Sequence, residues 1–155
     1  MGDVEYNTAA MVMGLYSGLL QQIVKEYGFE KALEMHGNMG YPMGVSSGEE
    51  LKKAAHGGKP TLGNIEAVNS QMMSSFGTTF KVSKGANTVK YEVSRCPMYD
   101  SYKATGFSDE QISRLCGAMA PQEYAGINSV VQNVSGRVKV RDGPKGCCIE
   151  EFIVQ

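Results

Sequence analysis

At Thr78 the spacing of apolar residues changes from three-and-four to two, and that switch limits the folds open to the chain. Before it, Val12, Tyr16, Leu19, Leu20, Ile23, Val24 and Tyr27 recur at helical spacing, which predicts that they line the inward face of a first helix. Gly28 breaks that helix, and a second carries Phe29, Ala32, Leu33 and His36 on one stripe. The stretch GNMGYPMGVSSG (37–48) reads as a loop, with Ser47 capping a short helix from Leu51 to Ala55. After the breaker HGGKP, Ile65, Val68, Met72 and Phe76 mark another amphipathic helix.

Beyond the switch, Phe80 and Val82 alternate with Lys81 and Ser83, and after SKGAN, Val89, Tyr91 and Val93 alternate with Lys90, Glu92 and Ser94. Pro97 cannot donate to a ladder, so the second strand ends by Cys96. A helical insertion at 98–120 follows. It holds a short piece from Tyr99 to Ala104 and then Ser108 to Met119, opened by the capping box Ser108-x-x-Gln111. Pro121 is expected to stop that helix, with a short helical turn to Tyr124. Val134, Val138 and Val140 give a third strand, and CCIEEFIV, after the turn DGPKG (142–146), a fourth. Four antiparallel strands with one apolar face need a cover, and the helices supply it. The expectation is one α+β domain over 1–155, with helices on one face of a four-stranded antiparallel sheet. Its front (1–77) is helical and its back (78–155) strand-rich. The other sheet face, rich in Lys, Arg and Glu, is left wet unless a second subunit covers it.

Charged residues make up 20% of the chain and the formal net charge is −1, which argues against a nucleic-acid partner. The basic cluster Arg137, Lys139 and Arg141 reads as a solvated face of one strand. No apolar run is long enough to span a bilayer and no signal peptide is visible, so a cytoplasmic location without a membrane partner is expected. Four cysteines are then free thiols, metal ligands or reactive groups rather than a disulfide framework. Cys96 closes a strand and Cys116 lies on an apolar helix stripe. Cys147 and Cys148 point to opposite faces of theirs, so three thiols can converge from separate elements. His36 stands where an apolar residue is expected, as a satisfied core histidine or as a base. Tyr99 and Lys103, with Tyr102 beside them, form either a pair poised in a pocket or a helix anchor with its lysine in water. Met39 and Met43 could drape over an apolar ligand. No dinucleotide, P-loop or zinc-protease fingerprint is present, so no nucleotide cofactor is expected.

From Cys96 the back half runs Cys96-Pro97, then Tyr99, Tyr102 and Gly106, a capped helix carrying Cys116, an AGIN turn (125–128), a strand, and GPKGCCIEEF (143–152). That order resembles the L-2-amino-thiazoline-4-carboxylic acid hydrolase family. Its end is also similar to V4R-type ligand-binding domains, in which helices pack on an antiparallel sheet. The resemblance implies hydrolytic opening of a cyclic amidine, with Cys96, Cys116 and Cys148 at the family's cysteine positions and Asn128 at its turn. Cys147 could stand in place of Cys148. Either thiol could be a nucleophile, or two could hold a divalent metal that activates water, with His36 or Glu150 as base. Tyr99 joins these as a catalytic candidate; Tyr102, Lys103, Asn128, Met39 and Met43 are candidates for holding substrate. Three readings follow: a small enzyme acting on a small cyclic substrate, a ligand- or metal-binding sensor domain, and an assembly module that could pair with itself.

Overall fold

A computed structural model of the chain describes residues 2–141, 143 and 146–155. Its elements run α1 (Gly2–Tyr27), α2 (Phe29–Asn38), α3 (Gly40–Ala54), α4 (Leu62–Ser75), β1 (Thr79–Lys84), β2 (Thr88–Arg95), α5 (Pro97–Ala104), α6 (Asp109–Val131), β3 (Val134–Lys139) and β4 (Cys148–Val154). The strands form one antiparallel sheet in the order β1-β2-β4-β3. The fold is α+β, with the change of period at Thr78 marking where helices give way to the sheet. The expected turn at 142–146 falls largely outside the described residues.

Register decides which side chains face the helices. Val89, Tyr91 and Val93 of β2 sit opposite Phe152, Glu150 and Cys148 of β4, so these six share one face. Val89, Tyr91, Val93 and Phe152 are buried there with Ile65, Tyr124, Ile127 and Val134 in one apolar cluster. Leu20, Ala32, Tyr99, Tyr102, Phe107, Ile112 and Leu115 form a second cluster among α1, α2, α5 and α6. On the outer face Lys90 pairs with Glu92, and Arg137 with Glu151.

Four local expectations are corrected. Residues 37–48 are helical. Gly40, Gly44 and Gly48 recur at four-residue spacing, so they stand on one stripe of α3 and let the α6 backbone approach. A β-carbon at Gly44 would lie 1.9 Å from the Glu123 carbonyl oxygen, and one at Gly126 2.3 Å from that of Tyr41. Close approach, not turn formation, is what these glycines provide. Pro121 does not stop α6, which runs on through the AGIN segment to Val131. The carbonyl that Pro121 deprives of an amide belongs to exposed Gly117, where water can satisfy it. The face of α1 was also misassigned. Tyr16, Leu20, Ile23 and Val24 do pack inward, but Val12, Leu19 and Tyr27 are exposed with Val4, Met11 and Leu15. The helix is apolar on two sides, and spacing alone could not choose between them. Similarly, β3 ends at Lys139, so Val140 and Arg141 lie beyond the alternation.

Candidate functional site

The site begins where β2 stops. Cys96 has extended backbone (φ −135°, ψ 119°) and is the N-cap of α5, with Pro97 in the first turn. Its side chain packs against both apolar clusters, at the junction between them. The Met98 and Tyr99 amides at the α5 N-terminus favour its thiolate without an aligned capping bond, but burial is the larger effect and pushes the thiol's pKa up. Cys116 comes from the middle of α6, and burial drives its thiol far above the ordinary range, with the Cys96, Cys148 and Glu150 charges adding to the shift. The β2–β4 register turns Cys148 to the helix side and leaves Cys147 on the other. Three thiols from a strand end, a helix and a strand thus lie within reach of one another's charge.

Glu150 completes the cluster. It projects from the core face of β4, between Tyr91 of β2 and Val138 of β3. A carboxyl group there is costly to ionise. Burial, with the neighbouring Glu123 charge from α6 adding, raises its pKa to about 7. Burial raises Glu123 as well. Cys96, Cys116, Glu123 and Glu150 are all strongly desolvated, yet each keeps some accessible surface. These four side chains are therefore desolvated in the interior, with part of each still accessible.

Arg141, read from the sequence as a solvated strand residue, turns inward instead and is 5% exposed. Its Nη2 donates to the Val93 carbonyl at 3.1 Å, its guanidinium lies 4.5 Å from the Tyr99 ring centre, and it stands beside the Cys148 thiol. Its buried Nε has no hydrogen-bond partner among the described residues. The same residue reaches the wall of a cleft of about 420 Å³ lined also by Asp109, Glu110, Ser113, Arg114 and Gly143. Strand parity hid Arg141, because the alternation of 137, 139 and 141 continues past the end of β3.

His36 is buried on α2, with Nδ1 2.7 Å from the Tyr16 hydroxyl and Nε2 3.4 Å from that of Tyr102. Burial lowers its pKa to about 4, so the ring is neutral and can accept at one nitrogen while donating at the other. Tyr102 is fully buried and feels the Cys116 and Cys96 charges, which links this chain of groups to the thiols. Tyr99 turns elsewhere. Its hydroxyl donates to Asp109 at 2.6 Å, and exposed Lys103 reaches the same carboxylate at 3.2 Å, so this pair anchors α5 to the start of α6. Asn128 donates to the Gln132 and Val134 carbonyls and ties the end of α6 to β3, away from the thiols. Met39 and Met43 are exposed, and Met39 accepts a hydrogen bond from Tyr16. Among the described residues no three His, Cys, Asp or Glu side chains are grouped so as to hold a metal ion.

A sequence model described as L-2-amino-thiazoline-4-carboxylic acid hydrolase matches residues 6–140, taking in the helical front as well as Cys96 and Cys116 and ending before Cys148 and Glu150. No curated protein matches the chain. Among solved structures, it is similar to a trafficking protein particle complex subunit 3 from Naegleria fowleri, covalently bound to palmitic acid. The TM-score is 0.59 and the identity 14%, over 96% of this chain and 95% of that one. That similarity shows the fold. Among the described residues no helix is long and apolar enough to cross a membrane.

Proposed function

Because the chain belongs to the L-2-amino-thiazoline-4-carboxylic acid hydrolase family, we propose that it hydrolyses a small cyclic amidine, with Cys96 as nucleophile and Glu150 as proton carrier. The observation that carries this reading is the placement of a thiol at a helix N-terminus within the field of a carboxyl group whose pKa is about 7. The Glu150 carboxylate takes the Cys96 proton as sulfur adds to the amidine carbon and the C=N electron pair moves to nitrogen. Glu150 then donates that proton to the departing ring atom, the ring bond breaks and the C=N bond re-forms. Water adds to the same carbon and loses a proton to Glu150. The C=N electron pair moves to nitrogen, which takes the remaining hydroxyl proton as this second tetrahedral centre collapses to the carbonyl and expels the Cys96 thiolate, which recovers its proton from Glu150. One water is consumed and the enzyme returns unchanged. Cys116, held as a neutral thiol by burial, does not react.

Incubation with L-2-amino-thiazoline-4-carboxylate, followed by mass spectrometry, tests the proposal. The expected product is heavier by one water; Cys96→Ser should abolish it and Glu150→Gln should slow its formation by about 100-fold or more. A full rate in Cys96→Ser, or no ring opening by the wild-type chain, overturns the mechanism.

A second reading is supported by the palmitic acid held covalently in the similarly folded trafficking subunit. This chain also gathers thiols at the meeting of two apolar clusters. A fatty-acyl group on Cys96 or Cys148 would make the protein a lipid binder rather than a hydrolase. Intact-mass measurement before and after hydroxylamine separates the two, because only the binder carries a releasable acyl mass.

A further inference from the structure

Of the arginines with side chains described here, Arg141 is the buried one. A guanidinium is charged at any physiological pH, and burying it without a counter-charge is costly. Its neighbours offer only partial compensation: a neutral backbone carbonyl, the face of Tyr99 and a thiol. None of the ion pairs among the described residues includes it. Two of the charged groups around the adjoining cleft are engaged elsewhere, while the exposed Glu110 joins none of the ion pairs among the described residues. Asp109 is held by Lys103 and Tyr99, and Arg114 donates to both carboxylate oxygens of Glu30 at 2.9 Å. A buried cation, an unpartnered Nε–H and a cleft reaching the same side chain therefore coincide at one point.

We propose that Arg141 anchors the carboxylate of a small substrate that enters through the cleft lined by the start of α6 and by Gly143, and holds it beside Cys148 and Cys96. A carboxylate fits better than a phosphate, since it carries a single charge and the Asp109 and Glu110 carboxylates stand on the rim. The planar guanidinium suits a planar carboxylate, with Nε–H as the unused donor of its fork. Neutralising the buried charge then becomes part of the binding free energy, which favours acids over their neutral analogues. The identity of the rest of the substrate rests on the hydrolase reading; the anchor itself does not.

Calorimetric titration with L-thiazolidine-4-carboxylate, whose saturated ring has no C=N bond to open, tests the anchor against the matching carboxamide. The wild-type chain is expected to bind the carboxylate, and the amide at least about 10-fold more weakly, the usual worth of a charge-assisted hydrogen bond. Arg141→Lys should weaken carboxylate binding by about 10-fold and Arg141→Met should abolish it. Equal affinity for acid and amide in the wild-type chain overturns the proposal, and so does its failure to bind the acid or undiminished binding by Arg141→Met. The acid–amide comparison uses the unaltered protein and does not depend on whether Arg141→Met folds. Carboxylate binding through Arg141 with no turnover of any amidine would sink the hydrolase reading and leave the anchor standing. Ring opening with an unchanged KM in Arg141→Met would do the reverse.

Discussion

Where α6 meets α3, glycines on both helices bring the two backbones into contact, and nothing chemical is exposed between them. Where the same helix meets the junction of the two apolar clusters, it presents Cys116 and Glu123 toward Cys96, Cys148 and Glu150. The first interface gives up helix propensity, about 1 kcal/mol for each interior glycine, and offsets it with dispersion contacts. The second keeps carboxyl and thiol groups where apolar side chains would be more stable. One region is thus optimised for closeness, while the other tolerates a standing cost. Such a cost is expected where a fold holds reactive groups.

The contrast breaks first under changes that spare one region and strike the other. Glu150→Gln should reduce hydrolysis by about 100- to 10,000-fold, the range for a lost acid–base group, while leaving the fold as stable or more so. Gly44→Val should do the opposite kind of damage. Its β-carbon would overlap the Glu123 carbonyl, so α3 must shift as a body, with a loss of about 3 kcal/mol or more in urea unfolding. Gly117→Ala serves as the comparison. A β-carbon there meets nothing within 4 Å, and the change should stabilise α6 by a few tenths to about 1 kcal/mol. If Gly44→Val melts as wild type, the backbone contact between α3 and α6 is not as tight as described.

The cost at the junction should be visible as a pH dependence. The Glu150 pKa rises from an unfolded value near 4.5 to about 7 in the fold. Between those values the folded protein keeps a proton that the unfolded chain has lost. Stability is therefore greatest below about pH 4.5, as far as this group is concerned, and falls as pH climbs to about 7, levelling off beyond. The total is on the order of 2 kcal/mol once partial access of water is allowed for. Urea unfolding of wild type and Glu150→Gln at pH 5 and pH 7.5 checks it, because the decline should vanish in the variant. A wild-type curve flat across that range would place Glu150 in water rather than in the interior. Turnover should show the same group as an inflection near pH 7.

The two regions were unequally legible in the sequence. The sheet side was readable because period-two alternation fixes faces without ambiguity. Val89, Tyr91 and Val93 name the inner face of β2, whereas the choice between Cys147 and Cys148, open in the sequence, is made by the register that sets Cys148 opposite Val93. The capping box at Ser108 likewise placed the start of α6. The α3–α6 interface was not readable by the same rules, because glycine and proline signal turns until a partner helix is known. Its one clue was the four-residue spacing of Gly40, Gly44 and Gly48, which a loop has no reason to keep. Arg141 escaped for a different reason: where a strand ends, alternation no longer says which way a side chain points. His36 and Tyr102 were marked as unusual, but only the meeting of α2 with α5 shows them bonded to each other.

The smallest expected effect concerns residues named as substrate or catalytic candidates that the fold uses as fasteners. Asn128 donates to the carbonyls of the left-handed Gln132 (φ 57°) and of Val134, closing the end of α6 onto β3. Asn128→Ala leaves those carbonyls to water and should cost about 1 kcal/mol in unfolding free energy, in line with the loss of a helix cap. Tyr99→Phe removes one donor to Asp109, which retains Lys103, and should cost about the same or less. Neither change touches the thiols or Glu150, so turnover per folded molecule is expected to stay within about twofold of wild type. A loss of turnover in Asn128→Ala larger than its loss of stability can explain would move the site toward the end of α6. Unequal effects on kcat and KM would then say whether Asn128 meets the substrate or only positions what does.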